Sequence, residues 1–175
     1  HVVRDFFSYL HEHLPGAKVS ADLFGLVTIN KDGLGIGQHL EFALPYFTAI
    51  APMTYPSHYS TGFIGFQNPA AHPYEVLRYS MDGALKRIIE YEAVQAEKAS
   101  TTVDEWRANN PIATLRPWIQ DFNLGATYGA KEVRAQIQAI YDSASTTGRE
   151  DLVDGWMLWN PGNRYTEGAL EPENE

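Results

Sequence analysis

The chain has 175 residues, 44% hydrophobic and 20% charged, a composition suited to one globular domain with a sizeable core, and no run is long enough to cross a bilayer. Its formal net charge of -9 repels polyanions and removes nucleic acid as a partner. Cysteine is absent, which excludes disulfides, thiolate nucleophiles and Cys-ligated zinc together. The first residues, from His1 to Phe7, carry neither the basic region nor the apolar block of a signal peptide.

Val2, Val3, Phe6, Phe7, Leu10 and Leu14 recur at helical spacing until Pro15-Gly16, so residues 2 to 14 read as a helix. Ala17 to Leu26 reads as a strand, followed by a loop with Gly33, Gly35 and Gly37 that calls for positive φ. Gln38 to Phe47 reads as a short helix that Pro45 interrupts, and Thr48 to Tyr55 as a strand with an awkward Pro52. A long loop from Pro56 to Pro73 is rich in Gly, Pro, Asn and aromatics, and loops of that length are usually functional. Tyr74 to Lys98 is the clearest helix, and the spacing of Thr102 and Glu105 predicts a capping box. Leu115 to Phe122 reads as a strand and Lys131 to Ala144 as a helix. The apolar run Trp156 to Trp159 reads as a strand covered on both faces, ending in Asn160, Asn163, Arg164 and Tyr165. An acidic tail begins at Glu167, and the domain boundary is set at residues 1–170 with 171–175 beyond it.

Repeated strand-helix units imply a parallel sheet with right-handed crossovers. A full (β/α)₈ barrel needs eight strands and roughly 250 residues. The pattern therefore predicts an α/β fold corresponding to the C-terminal half of such a barrel, strands 5 to 8, with an open four-stranded sheet as the alternative.

Active-site groups of such folds cluster past the C-terminal ends of strands. Asp22 and Asp121 are carboxylates inside otherwise apolar strands, where an unpaired charge is costly. One reading makes each an internal ion pair or capping acceptor, partnered by Arg116, Arg164 or a neighbouring backbone amide. The other makes them catalytic carboxylates for acid/base or nucleophilic chemistry on a glycosidic bond. Pyranose rings stack on aromatic faces, for which Trp118, Trp159, Tyr55 and Tyr59 are candidates, with core packing the competing fate of Trp118. Sugar hydroxyls seek Gln120, Asn160, Asn163, Arg164 and His58. His11, His13, His39, His58 and His72 lack a linked ligand pattern, so no metal site is expected, and no cofactor motif is present. A Gly-x-Ser-x-Gly elbow is also absent.

Six stretches together carry a family resemblance: Val19-Ser-Ala-Asp-Leu-Phe-Gly25, Gly35-Ile-Gly-Gln38, Ala51-Pro-Met-Thr-Tyr-Pro-Ser-His-Tyr59, Asn68-Pro69, Arg116-Pro-Trp-Ile-Gln-Asp-Phe122 and Gly155-Trp-Met-Leu-Trp-Asn-Pro161. Between Val19 and Leu170 the chain resembles the C-terminal half of the bacterial putative glycoside hydrolase domain. That resemblance implies a TIM barrel whose first four strands precede His1, with a further catalytic carboxylate at the end of the fourth. It also implies an extracellular or cell-envelope location. Asp22 falls on the implied fifth strand and Asp121 on the seventh.

Three functions follow as expectations. The first is a hydrolase of a polysaccharide or cell-envelope glycan, in which Asp22 and the upstream carboxylate supply acid and nucleophile or base, and Asp121 stabilises the transition state or orients a hydroxyl. The second is a non-catalytic carbohydrate-binding module. The third is a structural half-barrel that covers its open edges with the missing N-terminal half or a second copy.

Overall fold

A computed structural model describes residues 1–170, so the acidic tail expected at 171–175 lies outside the described residues. The chain runs through helix α1 (Val2–His13), strand β1 (Ser20–Phe24), the single turn α2 (Leu40–Ala43), β2 (Ala49–Met53) and the long helix α3 (Pro73–Lys98). It continues through α4 (Val103–Asn109), β3 (Thr114–Leu115), β4 (Trp118–Gln120), α5 (Ala130–Thr147) and β5 (Met157–Trp159). All strand pairs are parallel, with the order β1-β2-β4-β5 and β3 alongside β2. Successive strands are thus spatial neighbours, as in one sector of a (β/α)₈ barrel.

The strand expected over residues 115 to 122 is divided, and proline is the cause. Ala49 pairs with Thr114, Ile50 with Leu115 and Met53 with Trp118, one constant offset that sets Pro52 opposite Pro117. Neither proline has an N–H to give the ladder, so a single strand position is split into β3 and β4. The helix expected over Gln38 to Phe47 shrinks to α2: Leu44 is still helical, and Pro45 after it has no N–H to continue the ladder. The strand expected over Ala17 to Leu26 is confined to β1, and Gly25–Thr28 turns into a 3₁₀ helix. Helix α3 opens with Pro73, pre-set for the first helical position, and α4 carries the expected capping box between Thr102 and Glu105.

Residues paired across a sheet share a face. Leu23, Ile50, Leu115 and Ile119 turn to one side and pack against Leu77, Met81, Leu85 and Ile88 of α3 and Val133, Ile137 and Ile140 of α5, all within one buried cluster. Each such side chain contributes about 1.5–3 kcal/mol on burial. At the opposite end of the strands from the site, the buried carboxylate of Glu92 on α3 accepts hydrogen bonds from Arg149 and from Arg107 on α4. The residues from Glu167 to Ala169, expected to begin the tail, instead form a 3₁₀ turn docked on α5, with Ala169 buried and its carbonyl accepting from Arg134.

The other face of the sheet bears Asp22 and Phe24, Ala51 and Met53, Trp118 and Gln120, and Met157 and Trp159. No described helix covers it, and Phe24 and Trp159 remain 53% and 42% exposed. In a barrel this face looks inward.

Candidate active site

Asp22 sits at the centre of β1, opposite Ala51 of β2. The small Ala51 leaves room above the sheet, and the Trp118 indole crosses it to donate its Nε1–H to Asp22 Oδ1 at 2.9 Å. One carboxylate oxygen is therefore oriented by a fixed donor, and the carboxylate as a whole is exposed on the inner face. Trp159, one strand further along, meets Trp118 edge to face with centroids 6.1 Å apart. The alternation of strand residues puts Trp118 and Trp159 on the inner face, while Trp156 packs against the helix-side core.

Above β2 the chain turns through Tyr55, Ser57 and His58. Tyr55 is buried, and its phenol is pushed up to about 12, first by burial and then by the charge of Asp22, so it stays protonated at neutral pH. His58 is exposed, shares a hydrogen bond of 3.0 Å between its Nδ1 and Ser57 Oγ, and lies edge-on to Tyr55. Both rings contact Phe122. Tyr59 points away, with its hydroxyl 2.8 Å from Ser80 Oγ in a buried pair and its own value raised to about 12 by burial.

Gln120 is fully buried, and both ends of its amide are engaged: the oxygen accepts from Ser57 N at 3.0 Å and Nε2 donates to the Phe122 carbonyl at 2.9 Å. It ties the end of β4 to the turn that carries His58. The Gln120 backbone is satisfied in turn by Gln136 of α5, whose side chain accepts from its N–H at 2.9 Å and donates to its carbonyl at 2.8 Å. That side chain replaces a strand partner where β2 has already ended, so buried backbone groups are not left unpaired.

Asp121 is 3% exposed and turns to the loop after β5 rather than to solvent. Its Oδ2 accepts from Thr166 N at 2.7 Å and its Oδ1 from Thr166 Oγ1 at 2.5 Å. Asn160 donates to the Asp121 carbonyl and accepts from Gly162 N at 2.8 Å. Asp121, Asn160 and Thr166 thus fasten the loop that presents Asn163, Arg164 and Tyr165, all exposed, with Asn163 in the left-handed region at φ 52°.

The structure brings Asp22, Trp118, Trp159, Tyr55 and His58 to the inner face and the strand ends, while Gln120, Asn160 and Asp121 bind other parts of the chain. Residues 1–165 match the family model described as a putative glycosyl hydrolase domain. The chain belongs to that family. No curated protein and no solved structure matches the chain. Within the putative glycosyl hydrolase domain, the loop after β1 adds residues that the sequence reading did not include. Phe24, Leu26, Leu34, Ile36 and Met53 border a cavity beside Tyr55. Gly25 lets that loop approach, since a Cβ there would lie 2.4 Å from the Met53 carbonyl oxygen and 2.9 Å from the Tyr59 hydroxyl. The available signal was the apolar residues set between the glycines, Leu34 and Ile36. Among the described residues no helix is long and apolar enough to cross a membrane, and no cluster of three or more His, Cys, Asp or Glu side chains could hold a metal.

Proposed function

We propose that this domain hydrolyses a glycosidic bond in a polysaccharide or cell-envelope glycan, with Asp22 as the reacting carboxylate. The observation that carries the reading is an exposed aspartate on the inner barrel face with one oxygen held by the Trp118 indole and the other accessible. A carboxylate fixed in orientation beside aromatic surfaces is the equipment for attack on, or proton transfer at, an anomeric centre. Tyr55 supplies a neutral hydroxyl next to it, Trp159 an open indole face for a pyranose ring, and His58, Asn163 and Arg164 polar groups at the rim. Trp118 acts first as the positioning donor to Asp22 and only second as a stacking surface.

The second carboxylate that a glycosidase requires is assigned to the upstream barrel strands, which would also cover the inner face and the free edge of β1. Asp121 takes part indirectly, by holding the loop that carries Arg164. With both its oxygens engaged by Thr166, the occupied Asp121 also favours a second reading, a carbohydrate-binding module that lacks a working carboxylate pair. Among the described residues no strand pairs with the outer edges of β1 and β5, which favours association with the N-terminal half or a second copy. Glycoside hydrolysis by the complete barrel, lost in Asp22→Asn with the fold retained, supports the hydrolase; saturable oligosaccharide binding without product supports the binding module.

A further inference from the structure

The outer edge of β1 is closed at one position. Thr48 N donates to the Val19 carbonyl at 2.8 Å, so Val19 faces β2, and by the alternation of a strand Ala21 and Leu23 face it too. The backbone groups of Ser20, Asp22 and Phe24 therefore point away from β2, to the side where no described strand pairs. At Phe24 that side is already taken, because Gln38 Oε1 accepts from Phe24 N at 2.8 Å. Gln38 ends the glycine loop, and Gly37 lets it reach this place. Gly37 has φ 79°, and a Cβ on it would lie 2.7 Å from the His1 ring and 3.0 Å from the Val3 side chain. Short of Gln38, the edge opens on a groove of about 390 Å³ that Val3, Phe7, Leu10 and Phe47 line with apolar groups.

The sheet contains the same device where both strands are described. β2 ends at Met53, level with Trp118 of β4. Two residues further along β4, Gln120 has no strand on its β2 side, and the Gln136 side chain takes both its N–H and its carbonyl. The chain leaving β2 at that level turns through Tyr55 and His58, which stand at the site. A glutamine side chain on the next backbone position of the neighbour thus marks where a strand leaves the sheet, and it keeps those backbone groups paired.

We propose that Gln38 is the corresponding stop on the outer edge of β1: a parallel strand of the upstream barrel pairs with Ser20 and Asp22, ends level with Asp22 and turns off beside it. The occupant is a strand because the open groups are the N–H and C=O of a strand edge, and the apolar lining of the groove suits the alternate side chains of a strand. The inference rests on the glycosidase reading of Asp22 and makes Gln38 a positioning residue. It sets the loop that follows the upstream strand at the level of Asp22, rather than two residues, about 7 Å, further along the barrel.

Amide exchange followed by NMR, on the 175-residue chain and on the complete barrel, tests this. In the 175-residue chain the Phe24 amide is expected to be protected and those of Ser20 and Asp22 to exchange freely; in the complete barrel Ser20 and Asp22 become protected at every protein concentration. Gln38→Ala should speed Phe24 exchange about tenfold in both proteins, the loss of one ordinary hydrogen bond, while Ile88 and Ile140 keep their protection. Gln38→Glu, which retains the acceptor, should restore the slow exchange. In the complete barrel Gln38→Ala should also lower kcat about tenfold at unchanged KM, since the loop beside Asp22 loses its fixed level. A Phe24 amide still protected in the complete barrel with Gln38→Ala would mean that the strand runs past Asp22. Ser20 and Asp22 amides that stay open there, or close only as concentration rises, would mean an empty edge or a second copy. Each of these results, or an unchanged kcat, overturns the proposal. A complete barrel that yields no glycosidic product would refute the hydrolase and leave the strand stop standing on the exchange pattern; hydrolysis that depends on Asp22, with Phe24 protected independently of Gln38, would do the reverse.

Discussion

Replacing Asp121 by alanine tests whether this residue acts as a fastener. The side chain receives two hydrogen bonds from Thr166, at 2.7 and 2.5 Å, in a position 3% exposed. Bonds to a charged acceptor contribute about 1.5–3 kcal/mol each. Alanine removes both and leaves the partly buried Thr166 amide without a partner, so local opening of the loop should become easier by about 3 kcal/mol, roughly a hundredfold in population. Hydrogen exchange reads this directly: the Thr166 amide is expected to exchange about a hundred times faster, while Ile140 in the helix-side core keeps its protection. Asp121→Asn should fall between wild type and alanine, since one carbonyl oxygen remains for one donor and the Thr166 hydroxyl can rotate to accept from the new amide. Unchanged exchange at Thr166 in Asp121→Ala would refute the fastening role.

Three further outcomes are expected. Gly25→Ala drives a methyl group to within 2.4 Å of the Met53 carbonyl oxygen, and the resulting overpacking should cost about 1–3 kcal/mol in a urea melt; an unchanged midpoint would mean that the β1 loop is not held where it is described. Asp22→Leu removes the acceptor of the Trp118 indole proton, so that resonance should shift more than those of Trp106 and Trp156, and a pattern without this preference would contradict the Asp22 to Trp118 bond. Burial raises the pKa of Glu41, but the hydrogen-bonded Arg87 outweighs it and holds the carboxyl below its ordinary 4.5. A depressed value in the folded state means stability that is present above pH 4.5 and lost as pH falls through the lowered value. Glu41→Gln should accordingly flatten the acid side of the stability profile, and parallel profiles below that pH would disprove the linkage.

The order of elements was legible because apolar residues repeat with the periods of helices and strands. Val133, Ile137 and Ile140 on α5, and Leu77, Met81, Leu85 and Ile88 on α3, mark the faces that do pack against the sheet. The split of β3 from β4 was not, because it arises from the register of two prolines distant in sequence, Pro52 and Pro117. Of the two carboxylates expected inside apolar strands, Asp121 lies just past β4 and is buried, whereas Asp22 on β1 is exposed and carries little burial cost, and the partners of both were beyond reach of local pattern. Asp22 is satisfied by Trp118, 96 positions away, and Asp121 by Thr166, 45 positions away. None of the alternatives named for Asp121 is its partner: neither Arg116 nor Arg164 reaches it, and the amide and hydroxyl that do belong to the distant Thr166, not to a neighbouring residue. Arg116 is instead committed to Asp154. The positive φ expected of the glycine loop is present at Gly33, Gly35 and Gly37, and the same conformation at Leu34 had no signal in residue type, since leucine rarely adopts it.

The most direct test of the central claim compares the complete barrel with its Asp22→Asn variant on a panel of glycosides, monitoring release of reducing sugar alongside circular dichroism. If Asp22 reacts at the anomeric centre, wild type releases product, and the variant loses about a hundredfold or more of that rate while its spectrum and melting temperature stay in place. A folded Asp22→Asn protein that turns over substrate at the wild-type rate would remove Asp22 from the chemistry.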